Sequence, residues 1–264
     1  MNQRWNAGRD SYRPDGETIN PADYEVAEIG SDGLARDFVL KNHYSGTYPS
    51  ARWRFGLYRK GVLAGVAVFS HPASDKVLTN VFAIGKATDA VELGRFVLDE
   101  AVPGNGETWF LSRCHRLLKR EGLAGVVFFS DPTRRANARG EQVFAGHYGC
   151  IYQASSARFC GRSKARTLRL LPDGTVLSDR TIQKIRQAEQ GVQYSVAQLV
   201  AHGATRPDRL VPAVLGPWLA IWLPRLTRKL RHPGNLRYCF PFGRTALRLE
   251  VLPYPKPREL GLAS

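Results

Sequence analysis

The chain has 264 residues, 43% apolar and 23% charged, which argues against a disordered polymer and leaves enough apolar material for a sizeable core. Its 38 basic and 23 acidic side chains give a net charge of +15 and a pI near 10.0, so the expected partner is a polyanion. Four cysteines, with no CxxC pair and no histidines at finger spacing, argue against a structural zinc site and fit a reduced cytoplasmic compartment.

Residues 1–20, rich in Arg, Asn, Asp and Gly, carry neither a signal-peptide nor a transit-peptide pattern and read as a loose arm. GLARDFVLK (33–41) is helical in pattern, and KNHYSGTYP (41–49) follows with a histidine, two tyrosines and a serine. His43 fits a base, a metal ligand or a structural histidine. RFGLYRKGVLAGVAVFS (54–70) predicts a hairpin turning at Arg59-Lys60-Gly61, and VLTNVFAIG (77–85) and VELGRFVLDE (91–100) predict further extended segments.

AVPGNGET (101–108) then leads into a helix over 108–121. One face of it carries Phe110, Leu111, Cys114, Leu117 and Leu118; another carries Arg113, Arg116 and Arg120. GVVFFSD (125–131) predicts a short buried strand, completing a βαβ unit with parallel strands. A helix N-terminus flanked by glycines suits an anion, because free N–H groups meet a backbone that a phosphate can approach. Gly104, Asn105 and Gly106 form that junction; without a GKT ending it disfavours ATP hydrolysis and leaves a coenzyme pyrophosphate open. An ordinary turn capped by Thr108 explains the same residues. Asp131 stands at the expected C-terminal end of a parallel strand, where ligand crevices of open α/β sheets lie, and an aspartate capping the next turn would look the same.

Charge is segregated along the chain: residues 1–156 hold 19 basic and 17 acidic side chains, residues 157–248 hold 17 and 4. The rear part is therefore expected to bind the polyanion, with Arg158, Arg162, Lys164, Arg166 and Arg169 for phosphates and a helical pair over 181–202. VPAVLGPWLAIWLP (211–224) is too short to span a bilayer and reads as a buried or partner-facing segment, so no membrane is expected. The aromatics Trp218, Trp222, Tyr238, Phe240 and Phe242 are assigned to packing rather than to base stacking.

KNHYSGTYP, ELGRFVLDEAVPGNGETWFLSRCHRLLK, FFSDP and HYGCIYQASSARFCG together resemble the phage Mom family of DNA-modification proteins over about residues 38–180. That resemblance implies an α/β (α+β) fold: a GNAT-like mixed sheet flanked by helices, with a basic C-terminal extension. It divides the chain into an arm (1–24), a core (25–180) and a basic extension (181–264). It also implies a transferase that adds a methylcarbamoyl group to adenine N6 of double-stranded DNA, flipped out of the helix, in a phage- or prophage-encoded protein of the host cytoplasm. Acetyl-CoA or another acyl-CoA would be the donor, held by Gly104, Asn105, Gly106, Ser112 and Arg113. The catalytic set falls on His43, Tyr44, Asp131 and Tyr152, and an iron, if used, on His43 and Asp131. Here the stretch from Asp131 to Tyr152 is longer than in the family pattern; Arg134, Arg135 and Arg139 in the added segment would contact DNA. Two other classes remain open: a GNAT acetyltransferase acting on a protein, small amine or RNA, and a nonenzymatic DNA-binding phage accessory protein.

Overall fold

The computed structural model describes residues 2–6 and 9–262. The chain divides into two compact units. One comprises Met1–Pro132, His147–Ser163 and Asn235–Ser264, the other Thr133–Gly146 and Lys164–Gly234.

A seven-stranded mixed sheet organises the first unit. Its strands are β3 (Tyr24–Glu28), β4 (Ala51–Arg59), β5 (Val62–Ser70), β6 (Val91–Leu98), β7 (Gly125–Ser130), β10 (Arg158–Arg162) and β14 (Leu236–Pro241), in the order β10-β14-β7-β6-β5-β4-β3. The hairpin β4–β5 turns at Lys60 and Gly61, which both take positive φ (49° and 81°), as a two-residue turn of the twist-matched kind requires. β5 is a near-continuous apolar run because its inner positions are buried on both faces. Helices α1 (Asp32–Asn42) and α3 (Gly106–Arg120), with the short α2 (Lys76–Thr79) and α4 (Cys150–Ala154), flank the sheet. α3 buries Phe110, Leu111, Cys114, His115 and Leu118 in the main core with Phe55, Phe69, Val126 and Phe128. The expected mixed sheet flanked by helices is thus present.

Only one neighbouring pair is parallel. β6 and β7 pair at Val91–Val126 and Glu92–Val127; beyond Glu92 their C-terminal portions run on without further pairing. β6 also bulges at Gly94 where it pairs with β5, and a Cβ there would collide with Ser70 and Pro49.

Three readings of the sequence change. Residues 77–85 do not form a strand: α2 covers their start, and Phe82 makes an isolated bridge to Leu247. A short apolar run fits a buried helical turn as well as a strand. The 1–20 segment carries the hairpin β1 (Asn2–Asn6) and β2 (Arg9–Arg13). Arg4 from this hairpin is 4% exposed, its Nε on Glu107 Oε1 at 2.7 Å and its Nη atoms on the carbonyls of Asp99, Val102 and Pro103. Finally, the units do not divide at residue 180. β14 returns from near the C-terminus to lie between β10 and β7, so the sheet needs residues far beyond that point.

The second unit has its own core of Leu171, Leu177, Ile182, Ile185, Leu199, Leu215, Trp218 and Leu219. It carries helices α5 (Asp179–Arg186), α6 (Val192–Ala201) and α7 (Pro212–Leu226), a three-stranded sheet of β11 (Arg166–Leu170), β12 (Val176–Leu177) and β13 (Arg228–His232), and a small hairpin of β8 (Arg135–Ala136) and β9 (Gln142–Phe144). α7 holds the apolar 211–224 stretch: Leu215, Trp218, Leu219 and Leu223 are buried, with Trp218 Nε1 donating to Thr205 O at 2.7 Å. Among the described residues no helix is long and apolar enough to cross a membrane. This unit contains 15 Lys and Arg against 5 Asp and Glu, ten of the chain's fifteen net positive charges.

Candidate active site

Beyond the last β6–β7 pairing, several sequence segments bring functional side chains together. Asp131 follows β7 directly. Its carbonyl accepts the His147 N–H at 2.8 Å, so the chain that departs at Thr133 is closed off again at the strand end. The added segment Thr133–Gly146 belongs to the second unit and does not displace the residues after it. His147 Nε2 lies 3.4 Å from the Tyr44 hydroxyl, and the two rings meet edge-on at 6.0 Å. Tyr44 stacks on His43 with 4.4 Å between centroids. Tyr152, on α4, stacks on Phe128 of β7 at 4.8 Å.

β6 adds two side chains that the sequence reading did not single out, Glu92 and Arg95. Burial pushes the Glu92 carboxyl up to about 7, with the Arg95 guanidinium opposing. Burial also lowers Arg95, while Tyr44, Glu92 and Tyr152 act on it electrostatically in the other direction. Arg95 is pinned by the Thr47 carbonyl at 2.9 Å, in the loop after His43 and Tyr44. Tyr152 is raised well above an ordinary phenol, first by burial and then by Tyr44, Cys150, Tyr238 and Glu92. The cluster is therefore Tyr44, Glu92, Arg95, His147 and Tyr152, with His43 behind Tyr44.

His43 is lowered to about 3, chiefly by burial and then by Arg95 and His147, so its ring is neutral across the physiological range. Its Nδ1 accepts the Ser45 N–H at 3.1 Å, a bond that assigns the ring proton to Nε2. That ring is a donor and stacking platform rather than the proton acceptor the sequence reading allowed. For iron, the residues do not fit: among the described residues no group of three or more His, Cys, Asp or Glu is placed to hold a metal, so His43 and Asp131 lack further donors.

The glycine junction departs from the expected cradle. Gly104 and Gly106 are buried, and the Gly104 N–H donates to Glu17 Oε2 at 2.7 Å. Arg13 grips the same carboxylate through two nitrogens, and Asn105 Oδ1 accepts the Ile19 N–H at 2.6 Å. A carboxylate of the chain itself thus occupies an amide expected to meet a phosphate. Ser112 and Arg113, expected together, face different clefts on adjoining faces of α3. Ser112 lines a cleft of about 400 Å³ with Thr108, His115, Ser155 and Phe240, whereas Arg113 lies over Trp109 at 4.4 Å in a cleft of about 370 Å³ with Tyr24 and Arg120.

The expected DNA-contacting side chains fall in both units. Arg158 and Arg162 stand exposed on β10 of the first; Arg134, Arg139, Lys164 and Arg166 are exposed in the second, and Arg135 lies over the Phe144 ring at 3.9 Å. The aromatics assigned to packing are there: Trp218, Tyr238 and Phe242 are buried and Trp222 and Phe240 partly so.

The Glu92 environment has a pH signature. In the folded protein burial raises the Glu92 carboxyl from the ordinary 4.5 to about 7, so its contribution is full below about 4.5 and is lost as pH rises through 7. Glu92→Gln removes that loss. The difference in unfolding free energy between the variant and the parent, read from urea titrations, should be near zero at pH 4 and favour the variant increasingly to pH 8, with a ceiling of about 3 kcal/mol. A difference independent of pH would place Glu92 in water.

Comparison with known proteins gives a family and two structural likenesses. The chain matches the Mom protein family over residues 23–209. It is similar to the IAA acetyltransferase from Bacillus cereus ATCC 14579 (13% identity, TM-score 0.34, covering 58% of this chain and 92% of that one). It is also similar to a tandem GNAT protein from the clavulanic acid biosynthesis pathway, in a structure without AcCoA (9% identity, TM-score 0.43, covering 83% and 99%). Among curated proteins nothing matches.

Proposed function

Since the chain belongs to the Mom protein family, we propose that it is a DNA-modifying transferase that moves a group from acetyl-CoA or another acyl-CoA to adenine N6. The observation that carries this reading is the convergence of Tyr44, Glu92, Arg95, His147 and Tyr152 where the two parallel strands part.

Adenine N6 is paired in the duplex and its lone pair is delocalised, so the base must leave the stack and lose a proton as it reacts. Tyr44, backed by His43, offers an aromatic face for the extruded ring. Glu92, held near neutrality by burial, accepts the N6 proton, since an acid–base group works best with a pKa near the operating pH. As the N6–C bond forms, Arg95 stabilises the oxyanion that develops on the acyl carbonyl oxygen. The carbonyl then re-forms as the C–S bond breaks, and Tyr152 gives a proton to the departing thiolate. Asp131 acts through its carbonyl, which holds the His147 backbone beside Tyr44. These groups account for direct acyl transfer; the methylcarbamoyl product that the family resemblance implies needs chemistry they do not supply. Digestion of DNA from cells expressing the protein, followed by nucleoside mass spectrometry, tests the reading: a deoxyadenosine adduct is expected, its mass separating acyl from methylcarbamoyl, and unmodified deoxyadenosine overturns it.

A coenzyme pyrophosphate that uses Gly104 has to displace Glu17. A hydrogen bond to a charged group is worth about 1.5–3 kcal/mol, so Glu17→Gln should tighten acetyl-CoA binding about tenfold in calorimetry. The covered turn favours one rival, a DNA-binding accessory protein without coenzyme; absence of acetyl-CoA binding by both the parent and the Glu17→Gln protein would select it.

A further inference from the structure

We propose that the outward face of the β11–β13 ribbon, formed by Thr167, Arg169, Lys229 and Arg231, is a docking surface for the phosphate backbone of duplex DNA. The inference rests on the DNA reading above and assigns it a place in the second unit.

Register fixes the face. β11 and β13 are antiparallel, with Thr167 opposite Arg231, Leu168 opposite Leu230, and Arg169 opposite Lys229. Side chains directly opposed share a face, and alternate residues point to opposite ones. The face of Leu168, Leu170, Leu230 and His232 is turned inward at its centre, with Leu168, Leu170 and His232 buried and Leu230 partly so, while Arg166 and Arg228 at its two ends are exposed. The other face leaves Thr167, Lys229 and Arg231 exposed and Arg169 half-buried.

That face carries three cations, one hydroxyl and no carboxylate. Arg169 and Lys229 are directly opposed, with Cβ atoms about 5 Å apart, an arrangement that like charges destabilise. None of the ion pairs among the described residues involves Arg169, Lys229 or Arg231. Elsewhere on the same unit, Arg180 is paired with Glu189 and His202 lies beside Asp173, so carboxylates were to hand and this face went without them. An uncompensated cross-strand pair of cations is relieved by a run of anionic groups laid along both strands.

Spacing and chemistry select the anion. Same-face side chains lie about 5 Å apart across the ribbon and about 6.7 Å along it. A DNA strand offers one phosphate per about 3.4 Å of axis, so each cation meets its own phosphate while the Thr167 hydroxyl donates to another oxygen. A lipid surface is disfavoured because the apolar side chain paired into this face, Leu177 of β12 opposite Arg169, is buried and offers the bilayer nothing to take up.

The test is the salt dependence of duplex binding by anisotropy. Each lost phosphate contact flattens the slope of log K against log salt by about 0.9, so R169Q/K229Q/R231Q should lose about 2.7 from the slope and on the order of 10²-fold in affinity at 0.1 M salt. A charge-matched control, K76Q/K256Q/R258Q, made on exposed residues of the first unit, should leave the slope as it is. In the unaltered protein, duplex DNA should also protect Lys229 but not Lys76 from acetylation by a small reagent, a readout that needs no variant to fold. If the parent binds duplex steeply while the triple variant keeps its slope and Lys229 stays reactive, this face is wrong and the DNA reading survives. If the parent binds no duplex, or binds phosphatidylserine vesicles instead, both fall.

Discussion

Arg4→Ala is expected to destabilise the protein by about 3–5 kcal/mol, read as a shift of the urea midpoint with little change in slope. Arg4 and Glu107 are both almost wholly buried, their side chains 3% and 4% exposed. The guanidinium bonds Glu107 and three carbonyls of the turn before α3. Removing it strands a carboxylate that has no other hydrogen-bond partner among the described residues, where Glu107 Oε2 already lacks one. The cost is that of an uncompensated buried charge, which greatly exceeds the net worth of the pair. The double variant R4A/E107A should therefore lose less than the sum of its single variants, because it removes the stranded charge together with its partner. Full additivity would mean that the two groups do not depend on one another.

Tyr152→Phe should lower the turnover number by 10²–10⁴-fold and leave duplex affinity unchanged. The phenol is held well above its ordinary value by burial beside Tyr44, Cys150, Tyr238 and Glu92, so it stays protonated throughout the neutral range and can only donate. Phenylalanine keeps the ring that stacks on Phe128, and with it the packing of α4 on β7. Loss of rate should therefore come without loss of melting temperature. An acyl donor with a more acidic thiol leaving group should restore part of the rate, because its thiolate needs less protonation. Equal losses with both donors would remove Tyr152 from the proton path and leave it a packing residue.

Much of the fold was legible because it depends on local pattern. The β4–β5 turn at Lys60-Gly61, the amphipathic α3 and the apolar β7 each follow from periodicity and turn chemistry within a single window. Residues 77–85 were not, since nine residues of apolar character fit a helical turn and a strand alike. The candidate site was half legible. Tyr44, Asp131 and Tyr152 stand in short blocks whose resemblance drew attention to them, and their neighbourhood is what the structure contributes. Glu92 and Arg95 stand three residues apart, a spacing that regular alternation puts on opposite faces of a strand, and the bulge at Gly94 that alters it is not legible in the sequence. Only burial beside Tyr44 and Tyr152 gives them a role. The Glu17–Gly104 bond joins positions 87 residues apart, and nothing in either segment announces the other. The same holds for the unit boundary, which depends on which strands β14 chooses as neighbours.

That choice has a consequence for how the chain is made. Because β14 fills the gap between β7 and β10, synthesis delivers the two flanking strands long before the piece that joins them. Until Leu236–Pro241 has left the ribosome, both carry open hydrogen-bonding edges, the kind of surface that invites pairing with a stranger. The intervening Lys164–Gly234 segment has a core of its own and can fold while the gap waits. The closing strand then arrives last, and premature termination before it would leave a product with two sticky edges rather than a smaller working protein.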